Sequence, residues 1–305
     1  MGAGESSERG RFGSNGRVVP LLTRFAPSPT GYLHLGHVVN AVYTWGLARA
    51  RGGQVLLRIE DHDRGRCRPD YEAALLEDLA WLGFEPDAGP VRQQDAGDAY
   101  GAALARLTAT APVYACACSR RMLAAAAPAG TADGAEVPYP GTCRTRGLEP
   151  GPGRGLRVVL EPGVERFDDQ RLGPQAQEPS AQCGDLLLRD RDGHWTYQFA
   201  VTVDDLRQGI TLVVRGEDLL DSTGRQCRLA RMLGRDTPPA FFHHPLIRHA
   251  SGQKLSKSAG DTGVRELRAA GVSPASVVGL AASLVGLLEP GRPLAARDVA
   301  SLFGA

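Results

Sequence analysis

The sequence predicts an α/β fold with a doubly wound parallel sheet, and three observations support this fold class. The apolar run VLLRI at residues 55–59 is typical of a parallel strand that is buried on both faces. Strand patterns and amphipathic-helix patterns alternate around this run. Glu60 and Asp61 follow it directly, and such sheets bind ligands at the carboxyl ends of their strands. A ligand site is therefore expected at this edge.

The predicted elements follow the chain without internal repeats. The first strand, residues 23–25, ends in APSPTG, whose prolines and glycine favour a turn. The helix at residues 36–50 ends before Gly52, and Ser222 is the expected N-cap of a later helix. Further helices are predicted at 70–82, 197–206, 222–233, 264–270, 274–288 and 294–303, and further strands at 156–160, 185–189, 211–215 and 240–247.

The bulk composition is that of a soluble globular protein. The 305 residues carry a net charge of +1, with 42% hydrophobic and 23% charged residues. No apolar run approaches the roughly 20 residues of a membrane span, and residues 1–20 lack the apolar core of a secretory signal. The six cysteines do not form the framework of a small secreted protein. We therefore expect a cytoplasmic protein without a membrane partner, with a monomer as the default state.

The first chemical motif is HLGH, residues 34–37, at the predicted start of a helix. A helix N-terminus offers free N–H groups and partial positive charge, which suit a polyphosphate. His34 and His37 share a helix face and can both donate to phosphate oxygens. Gly36 allows a base or ribose to approach the backbone. The motif predicts ATP binding, although four residues alone also fit two surface histidines without a function.

The second motif is KLSKS, residues 254–258. Its lysines and serines can surround a pyrophosphate and neutralise charge as it leaves the α-phosphate of ATP. Alone, the motif fits a solvated basic loop equally well. Its position after RFAPSPTG, HLGH and RIEDHD makes a chance match remote. The predicted ATP contacts in this loop are Lys254, Ser256 and Lys257, and the predicted catalytic residues of the chain are His34, His37 and Lys257.

The ordered motifs resemble the class I aminoacyl-tRNA synthetases of the glutamyl/glutaminyl branch. The run RFAPSPTGYLHLGH is similar to the opening of that branch, KLSKS is similar to its lysine loop, and the resemblance covers about residues 22–259. The runs GDLLLRDRDGHWTYQFAVTVDD and VVRGEDLLDSTGRQ are similar to the glutamyl-queuosine tRNA(Asp) synthetase family, whose members are short paralogues without an anticodon-binding domain. Fewer than 50 residues follow Ser258, and we therefore expect no separate RNA-reading module.

The resemblance implies a two-step reaction. Glutamate attacks the α-phosphate of ATP, whose Mg²⁺ is held mainly by phosphates and water, and the adenylate then transfers glutamate to the queuosine base in the anticodon of tRNA(Asp). Two alternatives remain open: a truncated glutamyl-tRNA synthetase that charges a tRNA 3′ end, and a small-molecule carboxylate ligase or nucleotidyltransferase of the same fold. A non-catalytic binding protein fits less well, because His34, His37 and Lys257 are intact.

The chain is expected to divide into five parts. Residues 1–20 are a flexible tail, and residues 21–112 are the first half of a Rossmann-like catalytic nucleotide-binding domain. Residues 113–155 are a cysteine-containing, zinc-type insert, and residues 156–245 are the second half of the catalytic domain. Residues 246–305 hold the KLSKS loop and a short helical C-terminal region, and no anticodon-binding domain is expected.

A glutamate pocket must bind two carboxylates and one ammonium group, which arginine forks and acidic side chains suit. Arg24, Ser28, Glu60 and Arg215 all lie at the ends of predicted strands, where such a pocket would form. By the resemblance, Ser28 and Glu60 bind the amino group of glutamate. The alternative for each arginine is a structural ion pair with a nearby carboxylate, namely Glu60, Asp61 or Glu217.

The resemblance assigns further roles in this pocket. Arg24 and Arg215 are expected to bind a glutamate carboxylate, and Tyr197 is expected to add a hydroxyl group. Glutamyl-tRNA synthetases usually carry Asn four residues after this tyrosine, whereas this chain, like the short paralogues, has Val201, which fits a modified dependence on tRNA. The predicted glutamate contacts are Arg24, Phe25, Ala26, Pro27, Ser28, Glu60, Tyr197 and Arg215.

Cys116, Cys118 and Cys143 are close in the insert and suggest a structural zinc site, which needs about four ligands. No histidine lies between them, and the alternative is three buried thiols that act as small apolar side chains. The resemblance implies that a CxC pair and a Tyr-x3-Cys pair surround one Zn²⁺, with Tyr139 as the fourth ligand. The other residues considered for the fourth position are Asp133, Glu136 and Cys183.

The helix predicted at residues 222–233 suggests a contact with RNA. Arg228, Arg231 and the nearby Arg235 fall on one side of it, where they are candidates for binding phosphates. A solvated surface helix explains the same pattern equally well. The net charge of +1 argues against a broad nonspecific RNA surface and leaves room only for a local basic patch.

Overall fold

The structure, a computed structural model, describes residues 20–63, 65–125, 136–247 and 263–304. Within these ranges no helix has the length and apolar character that crossing a membrane requires. The strands are β1 (Leu22–Phe25), β2 (Gln54–Ile59), β3 (Ala88–Arg92), β4 (Val113–Cys116), β5 (Gly155–Val158), β6 (Glu165–Asp169), β7 (Gly173–Gln177), β8 (Leu186–Arg189), β9 (Leu212–Gly216) and β10 (Ala240–His244). The helices are α1 (Leu35–Arg49), α2 (Pro69–Leu82), α3 (Gly97–Thr110), α4 (Arg120–Ala125), α5 (Pro179–Cys183), α6 (Tyr197–Arg207), α7 (Thr223–Met232), α8 (Val264–Ala269) and α9 (Pro274–Ser283).

Two sheets meet edge to edge and form the central layer. In the first, β2 pairs in parallel with β1 and β3. In the second, β10 pairs in parallel with β9 and β6, and β7 lies antiparallel at the edge. The edge of β1 meets the start of β9, because the Thr211 amide donates to the Leu22 carbonyl (2.9 Å) and the Leu22 amide donates to the Thr211 hydroxyl (2.8 Å). The predicted parallel α/β fold is therefore confirmed.

Alternating side chains give the central layer two different faces. Phe25 and Val214 belong to an apolar cluster shared with α1, α2 and α9. Side chains alternate along a strand, so the neighbouring Arg24 and Arg215 lie on the opposite face, as does Arg58 of β2. That face is covered by α6 and α7, which supply hydrogen-bond partners to Arg24 and Arg215. Three buried arginines thus share one side of the sheet.

A separate antiparallel sheet carries the cysteine insert. β5 pairs with β4 on one side and with β8 on the other, and both pairings are antiparallel. The strands predicted at residues 156–160 and 185–189 are present, but they belong to this sheet and not to the parallel layer. Leu188 of β8 packs in a cluster with residues of α3, α6 and α7. Because Cys116 is the last residue of β4, the insert leaves the sheet at its first cysteine.

Three predicted helices differ in detail from the structure. Ser222 is the N-cap residue of α7 as predicted, but its side chain makes no capping hydrogen bond. A 3₁₀ helix at Glu217–Ser222 leads into α7, so Ser222 has helical dihedral angles (φ −79°, ψ −15°), and its hydroxyl accepts a hydrogen bond from the Gln198 amide group (2.9 Å). The last predicted helix is a 3₁₀ helix at Ala296–Leu302. α9 ends at residue 283 rather than 288, and Gly286 with φ +75° follows it in a conformation that glycine adopts readily.

The hairpin of β6 and β7, the strand β3 and the helix α3 were not predicted. The buried positions of β6 are Glu165, Phe167 and Asp169, and two of these three are carboxylates, so the apolar alternation of a strand is hidden. Helix α3 buries only Tyr100 and Leu107, which is too few apolar positions for a helical period. These elements therefore depend on contacts that the local pattern does not reveal.

Candidate active site

A cavity of about 660 Å³ opens where β1, β2, β9 and β10 end, beside the first residues of α1 and α6. This is the edge at which the sequence predicts a ligand site. The cavity brings together the predicted glutamate residues and the residues of HLGH, although these segments lie far apart in the chain. The predicted site residues that line it are Arg24, Phe25, Ala26, Pro27, Ser28, His34, Gly36, His37, Glu60, Tyr197 and Arg215.

The histidines of HLGH form the N-terminal cap of α1. His34 Nδ1 accepts a hydrogen bond from the Gly36 amide (3.1 Å), and His37 Nδ1 accepts one from the His34 amide (3.2 Å). Because Nδ1 is an acceptor in both neutral rings, Nε2 carries the proton and can donate to an anion. A Cβ atom at Gly36 would lie 2.8 Å from His34 Cε1. A side chain at position 36 would therefore displace the His34 ring from this capping position, which glycine leaves undisturbed.

The lysine loop KLSKS lies outside the described residues, but the chain on both sides of it is described. Before the loop, Leu246 lines the cavity. After it, the Val264 amide donates to the Leu33 carbonyl (3.0 Å), directly beside HLGH. The segment before the loop therefore lines the cavity, and the segment after it lies beside HLGH, whose histidines line the cavity. The predicted ATP contacts outside the described residues are Lys254, Ser256 and Lys257.

Arg215 is a buried guanidinium group that is held by neutral partners. Its Nε donates to His243 Nε2 (3.1 Å), its Nη1 to Gln226 Oε1 (2.7 Å) and its Nη2 to the Thr223 hydroxyl (2.7 Å). Among the described residues no carboxylate forms an ion pair with this side chain, which is 4% exposed. Burial lowers the pKa of Arg215 below its usual value. A buried cation of this kind favours an anion supplied from outside.

Arg24 and Arg58, in contrast, are neutralised within the protein. Asp205 Oδ1 accepts from Arg24 Nε (3.1 Å) and from Arg58 Nη1 (2.7 Å). Arg58 Nη2 also contacts Glu60 Oε1 (3.0 Å). Burial alone would raise the pKa of Asp205, but the two guanidinium groups outweigh it and lower the pKa below its usual value. Arg24 therefore does make a structural ion pair, with Asp205 rather than with any of the three predicted carboxylates.

Ser28 and Glu60 lie side by side on one wall of the cavity. The Ser28 hydroxyl donates to the Glu60 carbonyl (2.8 Å), and the Glu60 amide donates to the Pro27 carbonyl (3.0 Å). Since its proton is committed, the Ser28 oxygen is left as an acceptor that can face an ammonium group. Tyr197 begins α6, and Val201, one turn later, is 1% exposed and offers no polar contact at this buried position.

The thiols of Cys116, Cys118 and Cys143 form one cluster, with their sulfur atoms within 4.8 Å of one another. The Tyr139 hydroxyl lies 3.4 Å from Cys116 Sγ and accepts a hydrogen bond from the Cys143 amide (2.8 Å). Burial raises the pKa of Cys118 to about 11. Burial also opposes ionisation of Cys143, but hydrogen bonds from the Ala117 backbone and the Tyr139 hydroxyl lower its pKa to about 7. A thiol that ionises readily beside two others suits a metal.

Of the residues considered for a fourth ligand, only Tyr139 lies at this cluster in the described part of the chain. Glu136 instead pairs with Arg225 (2.6 Å), and the Cys183 thiol donates to a backbone carbonyl (3.2 Å). Asp133 lies outside the described residues. The three thiols are donors that zinc prefers, whereas the phenol is a weaker ligand, because burial raises the pKa of Tyr139.

The arginines considered for RNA binding make contacts within the protein. Arg228 and Arg231 both pair with Glu165, which is 1% exposed. Arg235 donates to three backbone carbonyls. These contacts favour a structural role for Arg228 and Arg235. The Arg231 side chain is 57% exposed and remains a candidate for a phosphate contact.

The residues that contact the pocket arginines from behind were not predicted from the sequence. Arg58, Asp205 and His243 were not singled out, yet each contacts a predicted site residue. The sequence carried a weak signal for two of them. Arg58 is a charge inside the apolar run VLLRI, and Asp205 lies in a helix whose other residues from 199 to 204 are buried. Charges at such positions require partners, but the partner cannot be read from the local pattern.

The fold and this site define a catalytic domain of the class I aminoacyl-tRNA synthetases. The family model for tRNA synthetases class I (E and Q), catalytic domain, matches residues 20–285. A protein from Geobacter sulfurreducens named glutamyl-Q tRNA(Asp) synthetase is 48% identical over 239 residues, or 78% of this chain and 76% of its own length. Proteins of the same name from Burkholderia cenocepacia and Symbiobacterium thermophilum are 46% and 42% identical, over 89% and 93% of this chain and 90% and 92% of theirs. The chain belongs to the glutamyl-Q tRNA(Asp) synthetase family.

Solved structures agree with this assignment. The glutamate-tRNA synthetase of Elizabethkingia anophelis superimposes with a TM-score of 0.76 at 26% identity, over 92% of this chain and 65% of its own. A glutamate tRNA ligase from Elizabethkingia meningosepticum, solved in complex with its amino acid, gives 0.75 at 27% identity, over 92% of this chain and 64% of its own. The chain therefore spans less than two thirds of the length of these two enzymes.

Proposed function

We propose that this protein activates glutamate with ATP to form glutamyl-adenylate. The observation that carries the proposal is Arg215, a buried guanidinium group without a carboxylate partner among the described residues. Glutamate has one net negative charge at neutral pH and matches this cation, whereas glutamine has none. The N-terminus of α1 in the same cavity suits the phosphates of ATP.

In this proposal the amino acid is bound at both of its charged ends. Arg215 and Arg24 bind carboxylate groups through their guanidinium N–H donors, and the Tyr197 hydroxyl adds a further contact. Ser28 and Glu60 accept hydrogen bonds from the ammonium group. The geometry supports these roles because all five side chains line one cavity.

ATP is held by the two motifs at the other side of the cavity. His34 and His37 donate to phosphate oxygens from Nε2. Lys257 and Lys254 neutralise the charge of the departing pyrophosphate, and Ser256 donates a hydrogen bond to it. Mg²⁺ is bound mainly by the phosphates of ATP and by water. The positions of Leu246 and Val264, on either side of the lysine loop, support this arrangement.

Glutamate-dependent exchange of pyrophosphate into ATP tests the activation step. The purified protein with Mg²⁺ and without tRNA is expected to catalyse exchange with glutamate. Exchange with the same concentration of glutamine is expected to be at least about 100-fold slower, because a buried polar or charged group left unpaired costs several kcal/mol. Absence of exchange with glutamate, or equal rates with both amino acids, would contradict the proposal.

We further propose that the acceptor is the queuosine base in the anticodon of tRNA(Asp), and the relatives' name, glutamyl-Q tRNA(Asp) synthetase, supports this proposal. A second cavity of about 480 Å³ adjoins the first, since Tyr197 lines both. Its walls come from the insert, including Tyr139, and from α6 and α7, including Gln198 and Arg225. A base in this cavity would be next to the activated glutamate.

Labelling of tRNA distinguishes the acceptor from its alternatives. Radioactive glutamate is expected on tRNA(Asp) that contains queuosine and not on the same tRNA without it, and nuclease mapping is expected to place the label in the anticodon fragment. Equal labelling of both tRNAs, with label at the 3′ end, would favour a truncated glutamyl-tRNA synthetase. Exchange without labelling of any tRNA would favour a small-molecule ligase.

We also propose one structural Zn²⁺ per chain, bound by Cys116, Cys118, Tyr139 and Cys143. The donor chemistry of the cluster supports zinc, which would join the two ends of the insert. We also propose a cytoplasmic location, which six free cysteines support. We also propose that the protein is a monomer.

Substituting Cys143→Ser is expected to reduce bound zinc from about one per chain to less than about 0.2, because the hydroxyl of serine is a much poorer zinc ligand than a thiolate. Metal analysis of the dialysed protein measures this change. Cys183→Ser is the matched control, because that thiol donates to backbone carbonyls outside the cluster. Unchanged zinc in Cys143→Ser would reject the site, and unchanged zinc in Tyr139→Phe would remove only the fourth ligand from the proposal.

A further inference from the structure

A buried chain of hydrogen bonds runs from Asp169 through His243 to Arg215. His243 Nδ1 lies 2.6 Å from Asp169 Oδ2, and Arg215 Nε lies 3.1 Å from His243 Nε2. The three residues are 2%, 0% and 4% exposed. They lie on β6, β10 and β9, which are adjacent strands of one sheet. Of these three residues, only Arg215 lines the substrate cavity.

The hydrogen bonds of Asp169 require the ionised carboxylate. Oδ2 also accepts from the His243 amide (2.9 Å), and Oδ1 accepts from the amides of Arg171 (3.0 Å) and Leu172 (2.8 Å). A protonated carboxyl group would have to direct its own hydrogen at one of these donors. Burial opposes ionisation, but the hydrogen bonds from His243 and the two amides outweigh it and lower the pKa of Asp169.

The ring proton of His243 can be placed in only one way, and the Thr223 hydroxyl, 3.1 Å from His243 Nε2, is a second group that can donate to that nitrogen. The Nε of an arginine can donate but not accept, so His243 Nε2 must be the acceptor. The ring proton then lies on Nδ1 and is donated to Asp169. A doubly protonated ring would direct an N–H group at the N–H group of Arg215 and place two cations in contact. Burial agrees with the neutral ring, because it lowers the pKa of His243 even though Asp169 opposes the shift.

We propose that His243 is a positioning residue that fixes the guanidinium plane of Arg215 for glutamate while leaving its charge available. The proposal rests on the proposed binding of glutamate by Arg215. Three of the five N–H groups of Arg215 are committed to His243, Thr223 and Gln226, and two remain for a carboxylate. A carboxylate in place of the imidazole would hold the group equally well but would cancel the charge that attracts the substrate. Arg24, which is held directly by Asp205, illustrates that other arrangement.

Two conservative substitutions separate this role from a general structural role. In His243→Gln, the side-chain oxygen can replace Nε2 as the acceptor for Arg215. In His243→Asn, the amide can replace the Nδ1 donor to Asp169, but the shorter side chain offers no acceptor to Arg215 Nε, and only the contacts of Arg215 with Thr223 and Gln226 remain. We expect the KM for glutamate in pyrophosphate exchange to rise about tenfold or more in the Asn variant and less than about threefold in the Gln variant. The KM for ATP and kcat are expected to stay within about threefold of wild type in both.

Each outcome of this experiment is informative. Equal glutamate KM values in the two variants, or equal changes for glutamate and ATP, would overturn the positioning role of His243. Absence of glutamate-dependent exchange in the wild-type protein would instead contradict the proposed function itself. If urea unfolding shows that both variants are unfolded, the nitrogen chemical shifts of His243 in the wild-type protein decide the question. We expect a protonated Nδ1 and an unprotonated Nε2 at neutral pH, and the opposite tautomer or a charged ring would overturn the proposal.

Discussion

Replacing Asp205 with alanine is expected to lower the free energy of unfolding by about 3–5 kcal/mol. The substitution removes the carboxylate that Arg24 and Arg58 share. Both arginines are buried, with 4% and 0% exposure, and Arg58 keeps Glu60 as a second partner. The cost therefore falls mainly on Arg24, which is left as a second unneutralised cation near Arg215. Leaving a buried charge unpaired costs more than the loss of the contact itself.

Urea unfolding followed by circular dichroism measures this difference. Glu77→Ala is the control, because it removes an exposed ion pair with Arg268 and should change stability by less than about 1 kcal/mol. Since the folded-state pKa of Asp205 is lowered, its stabilisation is present above the ordinary pKa of about 4 and is lost as the pH falls through the folded-state value. The two proteins should therefore become more similar in acid. A penalty no larger than that of Glu77→Ala would contradict the assigned role of Asp205.

Replacing Arg215 with methionine is expected to lower kcat/KM for glutamate in pyrophosphate exchange by at least about 100-fold, with little change in the KM for ATP. Removing one partner of a buried, hydrogen-bonded charge pair costs about 2–5 kcal/mol, and the proposed partner here is a carboxylate of glutamate. The stability of the protein is expected to change by only about 1 kcal/mol, because loss of a desolvated charge offsets the loss of its three hydrogen bonds.

Exchange kinetics and urea unfolding on the same preparation measure both effects. Arg231→Met is the matched control, because that arginine is 57% exposed on α7 and pairs with Glu165 away from the cavity. It should leave exchange without tRNA unchanged. If Arg215→Met destabilised the protein as much as Asp205→Ala and left glutamate kinetics intact, Arg215 would be a structural residue and not a substrate ligand.

The two substitutions together distinguish two kinds of buried arginine. Arg24 and Arg58 have a carboxylate partner inside the protein, so the loss of that partner, Asp205, is expected to lower stability. Arg215 has only neutral partners among the described residues, so its removal is expected to affect binding. A buried cation without a negatively charged partner destabilises the free protein. A ligand that supplies the missing negative charge offsets this cost when it binds.

The site could be predicted from the sequence to a large extent. HLGH and the strand ends after Phe25, Ile59 and Arg215 are local features, and all of the predicted glutamate residues line one cavity in the structure. The cluster of Cys116, Cys118 and Cys143 was also expected from short spacing. Local patterns succeeded here because a parallel sheet brings the carboxyl ends of its strands to one edge regardless of the details of packing.

Local patterns failed where a contact joins distant segments through polar groups. Asp205 meets Arg24 across 181 residues, and His243 meets Asp169 across 74. The strand β6 escaped prediction because Glu165 and Asp169 occupy its buried positions. Neither propensity nor hydrophobic period contains information about which distant charge will neutralise a buried one.

The sequence by itself determined the fold class, the start of α1 at HLGH, the position of the cavity and the chemical types of the side chains around it. These features follow from backbone geometry, apolar spacing and short motifs, which act within a few residues. Only the tertiary structure decided that Arg24 is neutralised by Asp205 while Arg215 is held by the neutral ring of His243. The reason is physical: the charge state and orientation of a buried group depend on its desolvation and its partners, and both are set when distant elements pack together.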